Sequence, residues 1–286
     1  MKSYKEIPIF IISFNRLNYL QQLISRLEKD DYTNIIILDN ASTDQVLLKY
    51  LHSLPYKAHF FDNNYGHMVL WDCGLFNDII ENNYYVLTDP DILPIDECPS
   101  DYIKYFYDLL NRYPEYTKVG FSLKIDDLPE TFKNKYVVIR WETLFYENIL
   151  SQEPLLYEAD IDTTFALYRP GYPKAFYKAI RTAFPYTAQH LSWYINSKKL
   201  PQEDNIYFDS AKLNNISSWF NDSGITNTRI QTIIKLIDQQ RNIGFYNLNK
   251  RIIKLEWLND ISFRDILKTA FFLLSKKIRQ KYKTLS

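Results

Sequence analysis

Over its first hundred residues the chain alternates short apolar, β-prone runs with amphipathic segments of helical period, and that alternation leaves few architectures open. Ile7 to Phe14 reads as a buried strand, and Leu17, Leu20, Leu23, Ile24 and Leu27 follow it at helical spacing. Ile35 to Leu38 is a second apolar run; it leads into Asp39-Asn40-Ala41-Ser42-Thr43-Asp44, where Ser42 or Thr43 is placed to cap a helix carrying Leu47, Leu48, Leu51 and Leu54. Ala58 to Phe61 predicts a third strand, His67 to Ile80 a third helix and Tyr84 to Thr88 a fourth strand. A helix capped at Ser100 then turns Tyr102, Ile103, Phe106, Leu109 and Leu110 inward. Strand and helix in turn argue an α/β fold with a mostly parallel sheet flanked by helices on both faces.

From Lys118 the texture changes. Strand candidates Val119 to Leu123, Tyr136 to Trp141 and Thr163 to Tyr168 are separated by longer aromatic connections, and after about Gly224 the chain turns helical and increasingly basic. The expected division is a domain over 1–224, built of halves 1–117 and 118–224, and a helical basic extension over 225–286. A hydrophobic fraction of 46%, with 24 Tyr and 18 Phe in 286 residues, supplies a sizeable core and excludes a disordered chain. Lys+Arg and Asp+Glu balance at 34 each, so no global field gathers nucleic acid. Cys73 and Cys98 stand in neither a C-x-x-C nor a zinc spacing, which argues against a disulfide framework and for a reducing cytosol. The run from Ile7 to Phe14 is short, lacks a small-residue cleavage site and ends at Asn15-Arg16, so it reads as a strand, and no apolar stretch reaches the 18 to 20 residues that cross a bilayer.

The fourth apolar run stops at Thr88-Asp89-Pro90-Asp91, two carboxylates one residue apart at a strand end. Oxygen ligands at the carboxyl edge of a sheet suit Mg²⁺ or Mn²⁺, and open α/β folds bind ligands at that edge. Pro90 fixes its own φ and biases Asp89 toward extended backbone, so the pair sits on a stiff turn. The pattern is cheap by itself, since Asp160-Ile161-Asp162 repeats it.

Four signals in order carry more. Ser13-Phe14-Asn15-Arg16, Leu38-Asp39-Asn40-Ala41-Ser42-Thr43-Asp44, Asn64-Tyr65-Gly66 with Asp72 and Gly74, and Asp89-Pro90-Asp91 together resemble the nucleotide-sugar glycosyltransferases of the GT-A fold, specifically the family 2-like bacterial enzymes of surface polysaccharide synthesis. The resemblance runs from Ile7 to about Trp219. It departs at Asp72, where the family often has Asn, and at Trp71. It implies a Rossmann-like nucleotide-sugar half over 1–117, an acceptor half over 118–224, and a divalent metal, Mn²⁺ or Mg²⁺. Ser13, Asn15, Arg16, Asp39, Asn64, Gly66, Asp72 and Asp89 fall to the nucleotide sugar, a UDP-sugar being favoured, with Asp39 on the base ring and Asp89 on the ribose or the metal. The bland alternative for Asp39 is an Asx turn closing the strand.

Sugar transfer explains the residue types. Negative charge builds on the departing diphosphate, and a cation held by Asp91 and Asp89 neutralises it. Inversion requires a carboxylate to take the acceptor proton; Asp160 and Asp162, before the β-prone run Thr163 to Tyr168, are the first candidates, and alternation turns both to one face. Their alternative is a structural role with Arg169 or Arg181, and Asp126, Asp127, Glu203 and Asp204 are rivals. His190 stands where several GT-A families place a third metal ligand, or is a structural histidine. Trp141, Trp193, Tyr194 and Trp219 are candidates for a sugar-stacking platform, Trp193 first.

In the tail, Phe263, Ile266, Leu267, Ala270, Phe271, Leu274 and Ile278 recur at helical spacing among Arg264, Lys268, Lys276, Lys277, Arg279, Lys281 and Lys283. That pattern fits an interfacial helix on anionic lipid over 263–286, or a helix packed on the domain. The expected protein is cytoplasmic, with peripheral attachment to the inner membrane if the acceptor is a lipid-linked glycan. The rivals are a glycan-binding or membrane scaffold on a transferase fold, and a sugar nucleotidyltransferase, which needs a Gly-rich loop that 13–17 lacks.

Overall fold

The computed structural model describes residues 4–171 and 178–213, and the chain divides into two compact units, Met1–Ile216 and Ser217–Ser286. Trp219, the helical extension over 225–286 and its basic tail lie outside the described residues. In chain order the first unit runs β1 (Ile9–Ser13), α1 (Leu17–Lys29), β2 (Ile35–Asp39), α2 (Gln45–Ser53), β3 (Lys57–Phe60), α3 (Val69–Asp72), α4 (Asn77–Asn82), β4 (Tyr85–Thr88), β5 (Ile92–Pro94) and α5 (Tyr102–Arg112). It continues with β6 (Lys118–Gly120), β7 (Ser122–Leu123), α6 (Lys135–Thr143), β8 (Ile149–Gln152), β9 (Leu155–Glu158), β10 (Ala166–Tyr168), β11 (Ala179–Thr182), β12 (Thr187–His190) and α7 (Gln202–Leu213).

Nine strands form one sheet in the order β3-β2-β1-β4-β10-β6-β11-β9-β8, and β5-β12-β7 form a second, smaller one. The first four strands are parallel, as βαβ alternation requires. Beyond β4 the sheet is mixed, because β10 enters antiparallel to both β4 and β6. Chain order reverses between β1 and β4, and that reversal opens a crevice at the carboxyl ends of those two strands. β1, β2 and β4 are buried along their whole length. Their side chains pack with Val69, Leu70, Trp71, Phe76 and Ile80 from α3 and α4 in one apolar cluster. On α1, Leu20, Leu23, Ile24 and Leu27 form the buried stripe that the helical spacing predicts.

Four local expectations are corrected. Tyr136 to Trp141 belongs to α6, not to a strand: Val138, Glu142 and Phe145 are buried one helical turn apart, so packing overrides the β-branched run. The helix expected over His67 to Ile80 is broken into a 3₁₀ turn at Gly66–Met68, then α3 and α4, with Gly74 at φ +70° between the last two, a conformation that glycine adopts without strain. The cap of α2 is Asp44, which accepts from the Val46 amide at 2.9 Å, rather than Ser42 or Thr43. Where α5 begins, Asp101 is the capping position, and the Ser100 carbonyl instead accepts from the Tyr32 hydroxyl at 2.8 Å.

Candidate functional site

The tip of β1 and the loop after β2 are stitched together. The Asn15 side-chain oxygen accepts from the Thr43 and Asp44 amides at 2.7 and 3.0 Å, and the Asn15 amide donates to Ser42 Oγ at 3.0 Å. Asn15 and Ala41 both hold positive φ, at 52° and 63°, which marks these two turns as over-determined by their surroundings. Ser13 pairs in register with Asp39. One Asp39 oxygen accepts from the Ser42 amide at 3.1 Å, which is the Asx-type turn; the other, Oδ1, is buried and accepts no hydrogen bond. Burial pushes the Asp39 carboxyl above its usual range, against the pull of Ser42 and Ser13. Asn40 brackets the next loop, accepting from the Tyr65 amide at 2.8 Å and donating to the Gly66 carbonyl at 2.9 Å, while Asn64 accepts from the Gly66 amide at 2.7 Å. Asp72 closes α3 and is exposed.

Across the crevice, Asp89 and Asp91 lie at the end of β4. Arg26, buried on α1, fixes the backbone that follows by donating to the Pro94, Ile95 and Cys98 carbonyls at 3.0, 2.7 and 2.8 Å. Asp89 accepts from Thr163 Oγ1 at 2.7 Å, and its amide donates to the Thr163 carbonyl at 3.0 Å. Asp91 is 3% exposed; its Oδ2 accepts from Arg16 Nη1 at 2.8 Å and lies 3.5 Å from His190 Nδ1. The two carboxyls are held differently. Burial and then the Asp91 charge push Asp89 well above the ordinary carboxylate range. At Asp91 burial opposes ionisation, but the His190 ring, Arg16 and the Ser192 hydroxyl hold it below that range.

Burial pushes the His190 imidazole below its ordinary range, against the pull of the Asp91 charge. Its Nδ1 shares a hydrogen bond with Ser192 Oγ at 2.6 Å, and its ring lies flat on Trp193, 4.4 Å between centroids. Trp193 is 1% exposed, so its ring supports the imidazole instead of presenting a face to an acceptor sugar. Asp160 and Asp162 are exposed to either side of buried Ile161, so the alternation puts both on one face although the segment precedes β10. Arg181 donates to the Asp160 carbonyl at 3.0 Å and pairs with Glu142 at 2.6 Å. Asp162 adds to the field on both Asp89 and His190.

Sequence reasoning left Asp204 among the rivals, and the fold brings it in. From the first turn of α7, fully buried, it accepts from Arg16 Nη2 at 3.2 Å and from the Tyr19 hydroxyl at 2.9 Å. Arg16 thus bridges Asp91 and Asp204 with its guanidinium 3.7 Å from the Tyr207 ring centre. Thr163, Ser192 and Tyr207 also escaped the sequence reading. A carboxylate opening a helix was the one available signal for Asp204.

Among the described residues no three His, Cys, Asp or Glu side chains are grouped to hold a metal by themselves. The set does fit a cation shared with a ligand's oxygens: one or two carboxylates plus substrate phosphates is the usual Mg²⁺ arrangement, and a neutral imidazole beside Asp91 suits Mn²⁺. A cation would also offset the burial and the Asp91 charge that raise the Asp89 carboxyl.

No protein-family model matches the sequence, and no curated protein matches it. Among solved structures, the mannosyltransferase PcManGT from Pyrobaculum calidifontis, in complex with GDP-Man and Mn²⁺, is similar over 97% of this chain and 87% of its own. Identity is 12% and the TM-score 0.41, a likeness that carries no argument about function.

Proposed function

We propose that the chain is a metal-dependent glycosyltransferase that moves a hexosyl or N-acetylhexosaminyl group from a nucleotide diphosphate sugar, a UDP-sugar being favoured, to a glycan or lipid-linked glycan of a bacterial surface polysaccharide, with inversion. The observation that carries the reading is the Asp89 and Asp91 pair at the end of β4, facing Arg16 from the tip of β1 across the point where strand order reverses. On the nucleoside side, buried Asp39 Oδ1 is an acceptor lacking a donor, which a base-ring N–H supplies. Asp91, with Asp89 and neutral His190 beside it, would hold the divalent cation, whose chemistry is Lewis-acid neutralisation of the departing diphosphate. Among the described residues, Arg16, paired with Asp91, is the cation that would face the charge on the departing diphosphate.

Two carboxylates compete for the acceptor proton. Asp162 is exposed at the Asp89 end, and Asp204 is buried at the Asp91 end with a carboxyl raised by burial. We assign the base to Asp162, which is open to an acceptor, whereas Asp204 is fully buried and already accepts from Arg16 and Tyr19. D162N is then expected to lower kcat at least ~100-fold, and D204N much less; the opposite order gives the role to Asp204. The basic tail, if it lies on lipid, keeps the enzyme at the inner membrane face, and deletion of 263–286 is expected to abolish co-sedimentation with anionic vesicles.

The deciding experiment is thermal stabilisation of the purified protein by UDP, GDP, CMP and dTDP, each with Mn²⁺ and with EDTA. A ligand at 100 times its Kd stabilises by about 2.7 kcal/mol. A metal-dependent shift with one nucleotide is expected; no shift with any of them turns the reading to the non-catalytic scaffold.

A further inference from the structure

Lys118 stands in the middle of the nine-stranded sheet and is completely buried, a position where a methionine fills the same space with no charge to desolvate. Its ammonium donates to the Ile161 carbonyl and to the Tyr168 hydroxyl, the latter at 3.2 Å, and lies 4.7 Å from the Tyr168 ring centre. Both contacts lead to the same place. Two residues beyond Ile161, Thr163 grips Asp89 through its hydroxyl and its carbonyl. The Tyr168 ring in turn stacks on Tyr85, 4.9 Å between centroids and 9° apart in plane, on β4, which leads into Asp89.

We propose that Lys118 is a positioning residue for the Asp89 arm of the site, holding the Asp160 to Thr163 segment by the Ile161 carbonyl so that Thr163 sets the Asp89 carboxylate. This role rests on the reading of the site as one for a metal-bound nucleotide sugar. The charged groups acting on the amine are Asp162 and Asp160, which favour its charge, and Arg181, which opposes it; burial outweighs them and brings its pKa down to about 7. Its contacts with the Ile161 carbonyl and Tyr168 reach Asp89 through backbone and packing.

The test is calorimetric binding of UDP and GDP in Mn²⁺ and in EDTA to the full chain, comparing wild type with K118M, T163V, the double variant and K118R. Outer-shell partners of metal ligands are worth ~10- to 100-fold in metal affinity, so K118M is expected to lose that much of the Mn²⁺-dependent binding. Binding in EDTA should hold within about twofold of wild type, because the nucleoside end at Asp39 is untouched. T163V should lose the same component, and the double variant no more than the worse single one, since both cut one chain of contacts. K118R, which keeps charge and a donor, should recover most of the loss and carries the comparison if K118M does not fold. The proposal is overturned if K118M binds as wild type does, if it loses metal-dependent and metal-free binding alike, or if the losses multiply in the double variant. Absence of nucleotide binding by wild type overturns the reading of the site itself, a different failure.

Discussion

Asp91 sits among groups that favour its charge, so replacing it by asparagine removes a stabilising ionised partner from buried Arg16 as well as a metal ligand. D91N is expected to lower stability by about 2 kcal/mol, the usual worth of a hydrogen bond to a charged group, and to erase any Mn²⁺-dependent nucleotide shift. Differential scanning fluorimetry reads both; an unchanged metal effect removes Asp91 from the ligand set. Lys118 is the opposite case. Its folded pKa, about 7, lies below the 10.5 of the unfolded chain, so between those values the unfolded state binds more protons and stability rises with pH. Urea titrations from pH 7 to 10 should show this rise in the wild type, amounting to a few kcal/mol at most, and a flatter profile in K118M. At this scale the sequence was legible for position: Asp39 ends β2, and Asp89 and Asp91 follow the end of β4. It gave no role to Thr163 or Lys118 and left Asp204 among the rivals; their partners lie 74, 43 and 188 positions away along the chain.

Elements with one dominant face were read correctly because burial alone decides them: β1, β2 and β4 are buried throughout, and α1 shows a single apolar stripe. Those that failed are short and depend on neighbours. α6 buries Glu142 against Arg181, a pairing invisible until β11 is placed beside it, and the expected strand over Val119 to Leu123 is divided between two sheets as β6 and β7. The close approach of β6 and β10 also depends on Gly120, where a Cβ would stand 2.6 Å from the Phe165 carbonyl oxygen and 2.8 Å from Ala166 Cβ. Since the obstacle is backbone, G120A is expected to cost roughly 1–3 kcal/mol by chemical denaturation. A neutral G120A would mean that the two strands separate more freely than their packing implies.

For the whole first unit, the site is assembled from distant parts: the tips of β1, β2 and β4, the segment before β10, the end of β12 and the start of α7. The division expected at 117 and 118 crosses a continuous sheet, since β10 lies between β4 and β6. A fragment of residues 1–117 therefore leaves β4 with an unpaired edge, and light scattering should find it self-associated and without a cooperative melt. A monomeric, cooperatively melting fragment would show that the parallel half is self-sufficient.

The insertion of β10 also sets a timetable for synthesis. β4 is complete at Thr88, but the strand that covers its edge ends at Tyr168, 80 residues later. At 5–20 residues per second a ribosome leaves that apolar edge bare for roughly ten seconds, an interval in which a nascent-chain chaperone has something to bind.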